Sequence, residues 1–329
     1  MILAQIAPQR GAQYSALAST LAPYELQLSP LGKVIRALES VDLAGQSYLK
    51  LTLERAIEEA EIAALGSLAM CSAFFDYYDV IGDQVGPFLR PLTTQRPRGL
   101  PADLVMTRRY KGKTNEMFTH FLCNVARSSS NFADQDWRTL RLLDPIAGGG
   151  TTLFTALMLG ASALGVEQSE QDSASTASFL EQYCREERIR CQSKEERMKK
   201  LGKRWQLTVG DPAQSCVIAA GDTVEADKLL LGLPRPHLIV GDLPYGIQHV
   251  ANLTSLLKKA LPVWTSLLLP GGTLTLAWET RPLPRSAMLE LLSTEPRLRV
   301  LNNPPYTQLA HRVDRVIKER DVVVVRREM

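Results

Sequence analysis

The 329-residue chain predicts a doubly wound α/β domain of seven strands over residues 107–329, preceded by a small α+β unit. Three observations carry that expectation. From about residue 105 onward, short apolar runs alternate with helical stretches, the pattern of a parallel sheet with helices on both faces. A glycine-rich loop, DPIAGGGTT, joins the first run to a helix. Four consecutive runs close on an acidic residue.

The elements follow in order. LRLLD (residues 140–144) reads as a strand, the glycine loop comes next, and residues 152–159 continue as a helix. SALGVE (162–167) is the second strand, followed by a long charged helix expected over about 170–200. WQLTVGD (205–211) and HLIVGD (237–242) are read as the third and fourth strands. A helix over about 253–269 leads to GTLTLAW as the fifth strand, and residues 286–293 are helical. LRVLN and DVVVVRR supply the last two strands.

Ahead of this domain, residues 1–85 read as a small mixed unit. They contain a helical pattern over 53–70 that runs into the apolar CSAFFDYYDVIG. Pro87, Pro91, Pro97 and Pro101, with Gly86 and Gly99, mark residues 86–106 as a connector. Charge is unevenly spread along the chain. Residues 1–84 hold five Lys/Arg against ten Asp/Glu, whereas residues 85–204 hold nineteen against thirteen. The excess lies in two stretches, 90–113 and 185–204, which suit a phosphate backbone. The second also reads as a salt-bridged helix face; the first has few acids and no helical period. The first residues lack a cationic start followed by a long apolar run, so no signal peptide is expected, and no apolar run is long enough to span a bilayer. Five scattered cysteines without a CxxC pair suit reduced thiols in a cytoplasmic protein, and four histidines without clustering suggest no metal site.

The glycine loop narrows the ligand. A phosphate-binding loop needs a lysine after its last glycine, and Thr151 follows Gly150. A dinucleotide loop would place a third glycine at position 153, which is leucine, and would set the Asp144 carboxylate against a pyrophosphate. A ligand with cationic groups is favoured beside Asp144 instead. S-adenosylmethionine (SAM), with its ammonium and sulfonium, has that chemistry. Glu167, ending the second strand, stands where a carboxylate meets ribose hydroxyls. Asp211, ending the expected third strand, is placed to accept from an adenine amino group, and Asp242 ends the fourth.

DPIAGGGTT, GVE, VGD and GDLPYG, in that order and spacing, resemble motifs of class I SAM-dependent methyltransferases that act on exocyclic amino groups. Gly246 after the tyrosine, and RYKGKTNEMFTHFLCNVA ahead of the glycine loop, are similar to the RNA methylase family that includes the THUMP-containing tRNA guanine-N2 methyltransferases. The resemblance covers residues 107–280 well and 1–85 faintly. It implies a Rossmann-like methyltransferase domain, SAM as cofactor, no metal, and an RNA substrate with guanine N2 of tRNA as the first expectation. It also implies a target pocket built from Asp242, Leu243, Pro244 and Tyr245. SAM would be held by Asp144, Ala147, Gly148, Gly150, Thr151, Glu167, Gln168, Asp211 and Pro212. Thr114 and Asn115 would stand near its methionine end.

The motif departs from its family at Leu243, where a proline is usual, and at Ile146, where a phenylalanine is usual. A target amino group is held best by two acceptors for its two N–H bonds, and the resemblance implies that these are the Asp242 carboxylate and the main-chain carbonyl of residue 243. That carbonyl is present whatever the side chain. An intact NPPY stands at 303–306, but after the sixth strand, which such sheets place at the edge; it reads as a proline-stiffened turn. Methylation of adenine or cytosine amino groups in DNA, a non-catalytic SAM-fold subunit and an NAD-dependent oxidoreductase stay open as alternatives. So does a protein partner or second copy docking on the acidic N-terminal unit.

Overall fold

The computed structural model describes residues 1–8, 16–95, 99–110, 112–199, 201–244, 250–313 and 319–329, the first three of helix residues 250–267 by backbone alone. The chain forms two compact units, one of residues 1–96 with 303–320 and one of 97–302 with 321–329.

The first unit is built on β1 (Ile2–Ile6), α1 (Leu17–Leu28), β2 (Ile35–Leu43), β3 (Gln46–Leu53), α2 (Glu59–Leu65), β4 (Cys71–Ile81) and β5 (Gln84–Pro91). Its five strands run in the order β2-β3-β1-β4-β5, every pair antiparallel. The central strand β1 carries Leu3, fully buried with Leu21 and Leu26 of α1 and Leu51 of β3. Ala44 and Gly45, both at positive φ, make the two-residue turn from β2 to β3. The helix expected over 53–70 is confined to α2, which a capping box between Glu58 and Glu61 starts. The connector expected from residue 86 begins inside β5, because the strand tolerates Gly86 and Pro87 at the sheet edge. NPPY belongs to this unit and forms a turn, with the Tyr306 N–H donating to the Asn303 carbonyl (2.9 Å).

The second unit comprises α3 (Leu104–Thr107), α4 (Glu116–Ser129), β6 (Arg141–Asp144), α5 (Thr151–Leu159), β7 (Ser162–Glu167), α6 (Glu170–Glu186), β8 (Cys191–Met198), β9 (Gly202–Val209), β10 (Gln214–Ala220), α7 (Ala226–Leu229), β11 (Leu238–Asp242), α8 (Val250–Leu267), β12 (Thr273–Glu279), α9 (Arg285–Leu292), β13 (Leu298–Leu301) and β14 (Arg320–Arg327). Its nine-stranded sheet has the order β13-β14-β12-β11-β6-β7-β10-β9-β8. Strands β12, β11, β6, β7 and β10 are parallel. Alternation along β12 shows how the sheet is covered. Leu274, Leu276 and Trp278 join a core cluster with Leu257 and Trp264 of α8, whereas Thr273 on the opposite face donates to the Ala126 carbonyl of α4 (2.6 Å). Among the described residues no helix is long and apolar enough to cross a membrane.

Two expectations are corrected here. The helix expected to reach residue 200 stops at Glu186. Arg188 takes a left-handed φ of 56°, the Ile189 N–H donates to the Cys184 carbonyl and the Arg188 N–H to that of Arg185. That is a Schellman ending, with arginine where glycine is usual. The chain then returns as β8 and β9, an antiparallel hairpin appended to β10. WQLTVGD is therefore not the third parallel strand; β10 is. The sheet thus has nine strands rather than the expected seven, with β10 in the place expected for WQLTVGD and the β8–β9 hairpin added at its edge.

Candidate active site

At the carboxyl ends of the parallel strands lies a cavity of about 460 Å³, within the range of small-molecule sites. Its lining is contributed by the loop after β6, the ends of β7, β10 and β11, and the segment ahead of α4.

The glycine loop forms its floor. Gly148 has φ +51°, and a Cβ built there would meet nothing, so this backbone faces open space. Its N–H donates to Glu167 Oε2 (2.9 Å), and the Glu167 Oε1 accepts from the Ser169 N–H (2.9 Å). One carboxylate thus ties the glycine loop to the start of α6. Gly150 caps α5 with φ +86°, a conformation open to glycine at little cost. Over Gly149 lies Tyr110, whose ring a Cβ at residue 149 would overlap and whose hydroxyl bonds to Thr151 Oγ1 (2.6 Å). Ala147, Thr151 and Gln168 also line the cavity.

Four carboxylates point the electrostatics. Asp144, Glu167, Asp222 and Asp242 end β6, β7, β10 and β11 or follow them directly, and all four line the cavity. No lysine, arginine or histidine stands among its described lining residues. Asp144 is buried (3 %), accepts from the Ile146 N–H (3.0 Å), and has its carboxyl pushed up to about 7. Burial is the main cause, and the nearby Asp242 and Glu167 carboxylates add to it. A cation placed in this cavity removes that penalty; an anion would add to it.

The DLPY segment leaves β11 at the cavity. Thr114, from ahead of α4, lines the cavity and donates its hydroxyl to Asp242 Oδ2 (2.5 Å). Asn115 caps α4 by accepting from the Phe118 N–H (3.0 Å) and does not line the cavity. Leu243 is fully buried in the core cluster, and its N–H donates to the Ala277 carbonyl (2.9 Å), extending the β11–β12 ladder by one residue. A proline at this position could not make that bond. The leucine therefore has a structural use, and its side chain stays out of the cavity. Pro244 is exposed and lines the cavity. Tyr245 and Gly246 lie outside the described residues.

Asp211 and Pro212 are not brought to this site. They sit in the turn between β9 and β10, at the amino end of β10, and Pro212 lines a different hollow with Asp136 and Gln214. The acid at the carboxyl end of the third parallel strand is Asp222, whose Oδ1 caps the following turn through the Val224 N–H (3.0 Å). The run QSCVIAAGD carried that signal: an apolar, β-branched stretch closing on Gly-Asp. Tyr110 and Thr223 are two further lining residues the motif reading passed over.

The two basic stretches also sort themselves. Most described cations of the first are engaged within the protein. Arg90 pairs with Asp76 (2.5 Å), and Arg108 is buried against the Tyr110, Phe154 and Phe179 rings. Lys113 donates to the Val105 and Arg108 carbonyls and pairs with Glu116. The second stretch ends α6 and forms the β8–β9 hairpin.

No protein-family model matches the chain, and a search of curated proteins gives no match. Among solved structures, it is similar to TrmN from Thermus thermophilus, at 12 % identity over 99 % of both chains with a TM-score of 0.47. A methyltransferase homolog from Pyrococcus horikoshii matches at 10 % identity over 99 % of this chain and 86 % of its own, with a TM-score of 0.43. The rRNA methyltransferase aviRa from Streptomyces viridochromogenes matches at 16 % identity over 70 % and 93 %, with a TM-score of 0.42. The strand order, the glycine loop after β6 and the acids at the strand ends together give the second unit a Rossmann-like, doubly wound α/β fold with a cavity at the carboxyl ends of its parallel strands.

Proposed function

We propose that the protein is a SAM-dependent methyltransferase acting on an exocyclic amino group of a base in RNA, with guanine N2 of tRNA as the first substrate to try. The observation that carries the reading is a cavity lined, among the described residues, by four carboxylates and no basic side chain, and floored by a glycine loop that opens on it. That chemistry fits a cationic nucleoside cofactor and disfavours the pyrophosphate of NAD.

The lining residues fit SAM: Glu167 and Gln168 would hold the ribose, Asp222 and Thr223 the adenine side, and Asp144 with Gly148 the cationic end. SAM, when bound, would supply a methyl group on a sulfonium. The target nitrogen's lone pair forms the N–C bond as the C–S bond breaks, the neutral thioether leaves, and the proton released from nitrogen passes to the Asp242 carboxylate or to solvent. A base amino group is a weak nucleophile, so the protein must hold it in line. Asp242 would accept from one N–H of the target, and the Leu243 carbonyl from the other, both favouring the charge that grows on nitrogen. Thr114 fixes the Asp242 carboxylate by its bond to Oδ2. Pro244 holds Leu243 toward extended backbone, and Tyr245 would offer a face to an extruded base.

Binding of labelled SAM to the purified protein tests the cofactor assignment, and transfer of labelled methyl to RNA or to duplex DNA tests the substrate. Binding in the micromolar range with label entering RNA is expected. A folded sample that does not bind SAM would overturn the reading, and label entering only DNA would move the substrate to the other nucleic acid.

A further inference from the structure

An acidic cavity poses a problem for a polyanionic substrate. Four carboxylates repel phosphate, and residues 1–84 add a net excess of acid. The attraction that gathers RNA has to come from another part of the surface. Among the described cations of the 90–113 stretch, Arg90, Arg108 and Lys113 are engaged within the protein.

The β8–β9 hairpin is the place that answers. Residues 191–209 hold six Lys/Arg against two Asp/Glu. Arg204 is buried, paired with Glu196 (2.7 Å) and bonded to the Leu229 and Leu231 carbonyls, so it anchors the hairpin. Lys194, Arg197 and Lys199 are exposed, and among the described residues none of the ion pairs involves them.

Strand register fixes where the hairpin points. Glu167 of β7 pairs with Ala220 of β10, Ala220 with Lys203 of β9, and Lys203 with Arg197 of β8. The row therefore starts on a cavity carboxylate and ends on the hairpin's cations. With strands about 4.8 Å apart, Arg197 stands about 14 Å along it from Glu167. Met198, ending β8, and Gly202, starting β9, lie at the same edge of the sheet as the cavity. Arg197 and Lys203 face each other directly across the strands, an arrangement that costs stability when both are cationic. Lys203 is relieved by Glu170 (2.7 Å) and Glu195 (3.7 Å); Arg197 has no such pair among those described.

We infer that the β8–β9 hairpin is an RNA-backbone contact element, with Arg197 and, just past the strand end, Lys199 gripping phosphates beside the mouth of the cavity, and Lys194, on the hairpin's other face, adding to the positive field that draws the backbone in. This rests on the RNA reading above. The hairpin lies at the edge of the nine-stranded sheet, so it can serve substrate docking without altering the cofactor site.

The test compares the wild-type protein with the triple variant Lys194→Ala, Arg197→Ala, Lys199→Ala and with the charge-keeping variant Lys194→Arg, Arg197→Lys, Lys199→Arg. Affinity for a tRNA transcript and for duplex DNA is measured across a salt series, and SAM affinity is measured alongside. The triple variant is expected to lose at least about tenfold in RNA affinity and to flatten the salt dependence by roughly 0.7 to 0.9 per removed contact. SAM affinity should be unchanged, and the charge-keeping variant should bind RNA within about twofold of wild type. Wild-type RNA affinity and salt slope in the triple variant would overturn the inference while leaving the RNA reading standing. Equal losses in both variants would also overturn it, since charge would not be the cause. Wild-type protein that binds no RNA, or binds duplex DNA as well as RNA, would overturn the RNA reading and this inference with it.

Discussion

Two residues decide how the site should be understood. Leu243 looks like an error in a familiar motif, yet its N–H bonds to Ala277 and its side chain fills the core. Restoring the usual residue should therefore harm the protein. Leu243→Pro removes one strand hydrogen bond and part of a buried side chain, and is expected to cost about 2–4 kcal/mol. Urea unfolding checks this, and a variant as stable as wild type would show the ladder bond to be dispensable. Asp144 is the second. Its carboxyl, buried and pushed up to about 7 from 3.8, is held partly neutral near pH 7 in the ligand-free protein. A folded-state value above the unfolded one means the folded protein binds the extra proton. Its contribution to stability is therefore present at low pH and declines as pH rises through about 7. Binding of a cation runs the opposite way, because it prefers the ionised carboxylate. SAM affinity should rise across pH 6 to 8, and Asp144→Asn should flatten that rise; calorimetry at several pH values measures both.

At the scale of elements, the strands flanking the glycine loop were legible, and the segment between residues 187 and 221 was not. LRLLD, SALGVE, HLIVGD and GTLTLAW each announced a strand by apolar runs bounded by turns, and β6, β7, β11 and β12 lie there. WQLTVGD and QSCVIAAGD both end on Gly-Asp, and local pattern does not say which strand runs parallel to its neighbour. Asp211-Pro212 is a turn pair, which was the available hint that the first of them leads into a hairpin. The end of α6 was hidden for another reason. Its left-handed ending is occupied by Arg188, so no glycine marks the stop, and the charged period runs on in the letters past the end of the helix. The correction has a consequence that alanine substitutions can read. Asp222→Ala should weaken SAM binding by about tenfold, a loss typical of a hydrogen bond to a charged group. Asp211→Ala should leave it within about twofold. The reverse ranking would return the adenine side to the β9–β10 turn.

The whole molecule divides its labour between charge and shape. Acid gathers at the carboxyl ends of β6, β7, β10 and β11, where the cofactor's cationic groups belong, and base gathers on the appended hairpin. The intact NPPY at 303–306 forms a turn in the first unit, whereas Asp242 and Pro244 of the altered motif line the cavity of the second. The sequence reading prefers the altered motif because position along the strand order, rather than spelling, places a residue beside the glycine loop, and the proposed role of Asp242 rests on that placement. The most direct test of the account is transfer of labelled methyl from SAM into RNA, followed by mass spectrometry of the nucleosides. The account predicts methyl groups on an exocyclic base nitrogen, and a loss of about 100-fold or more in rate for Asp242→Asn with SAM affinity kept. Protein that binds SAM but places no methyl on RNA bases, or an Asp242→Asn variant that transfers at the wild-type rate, would contradict it.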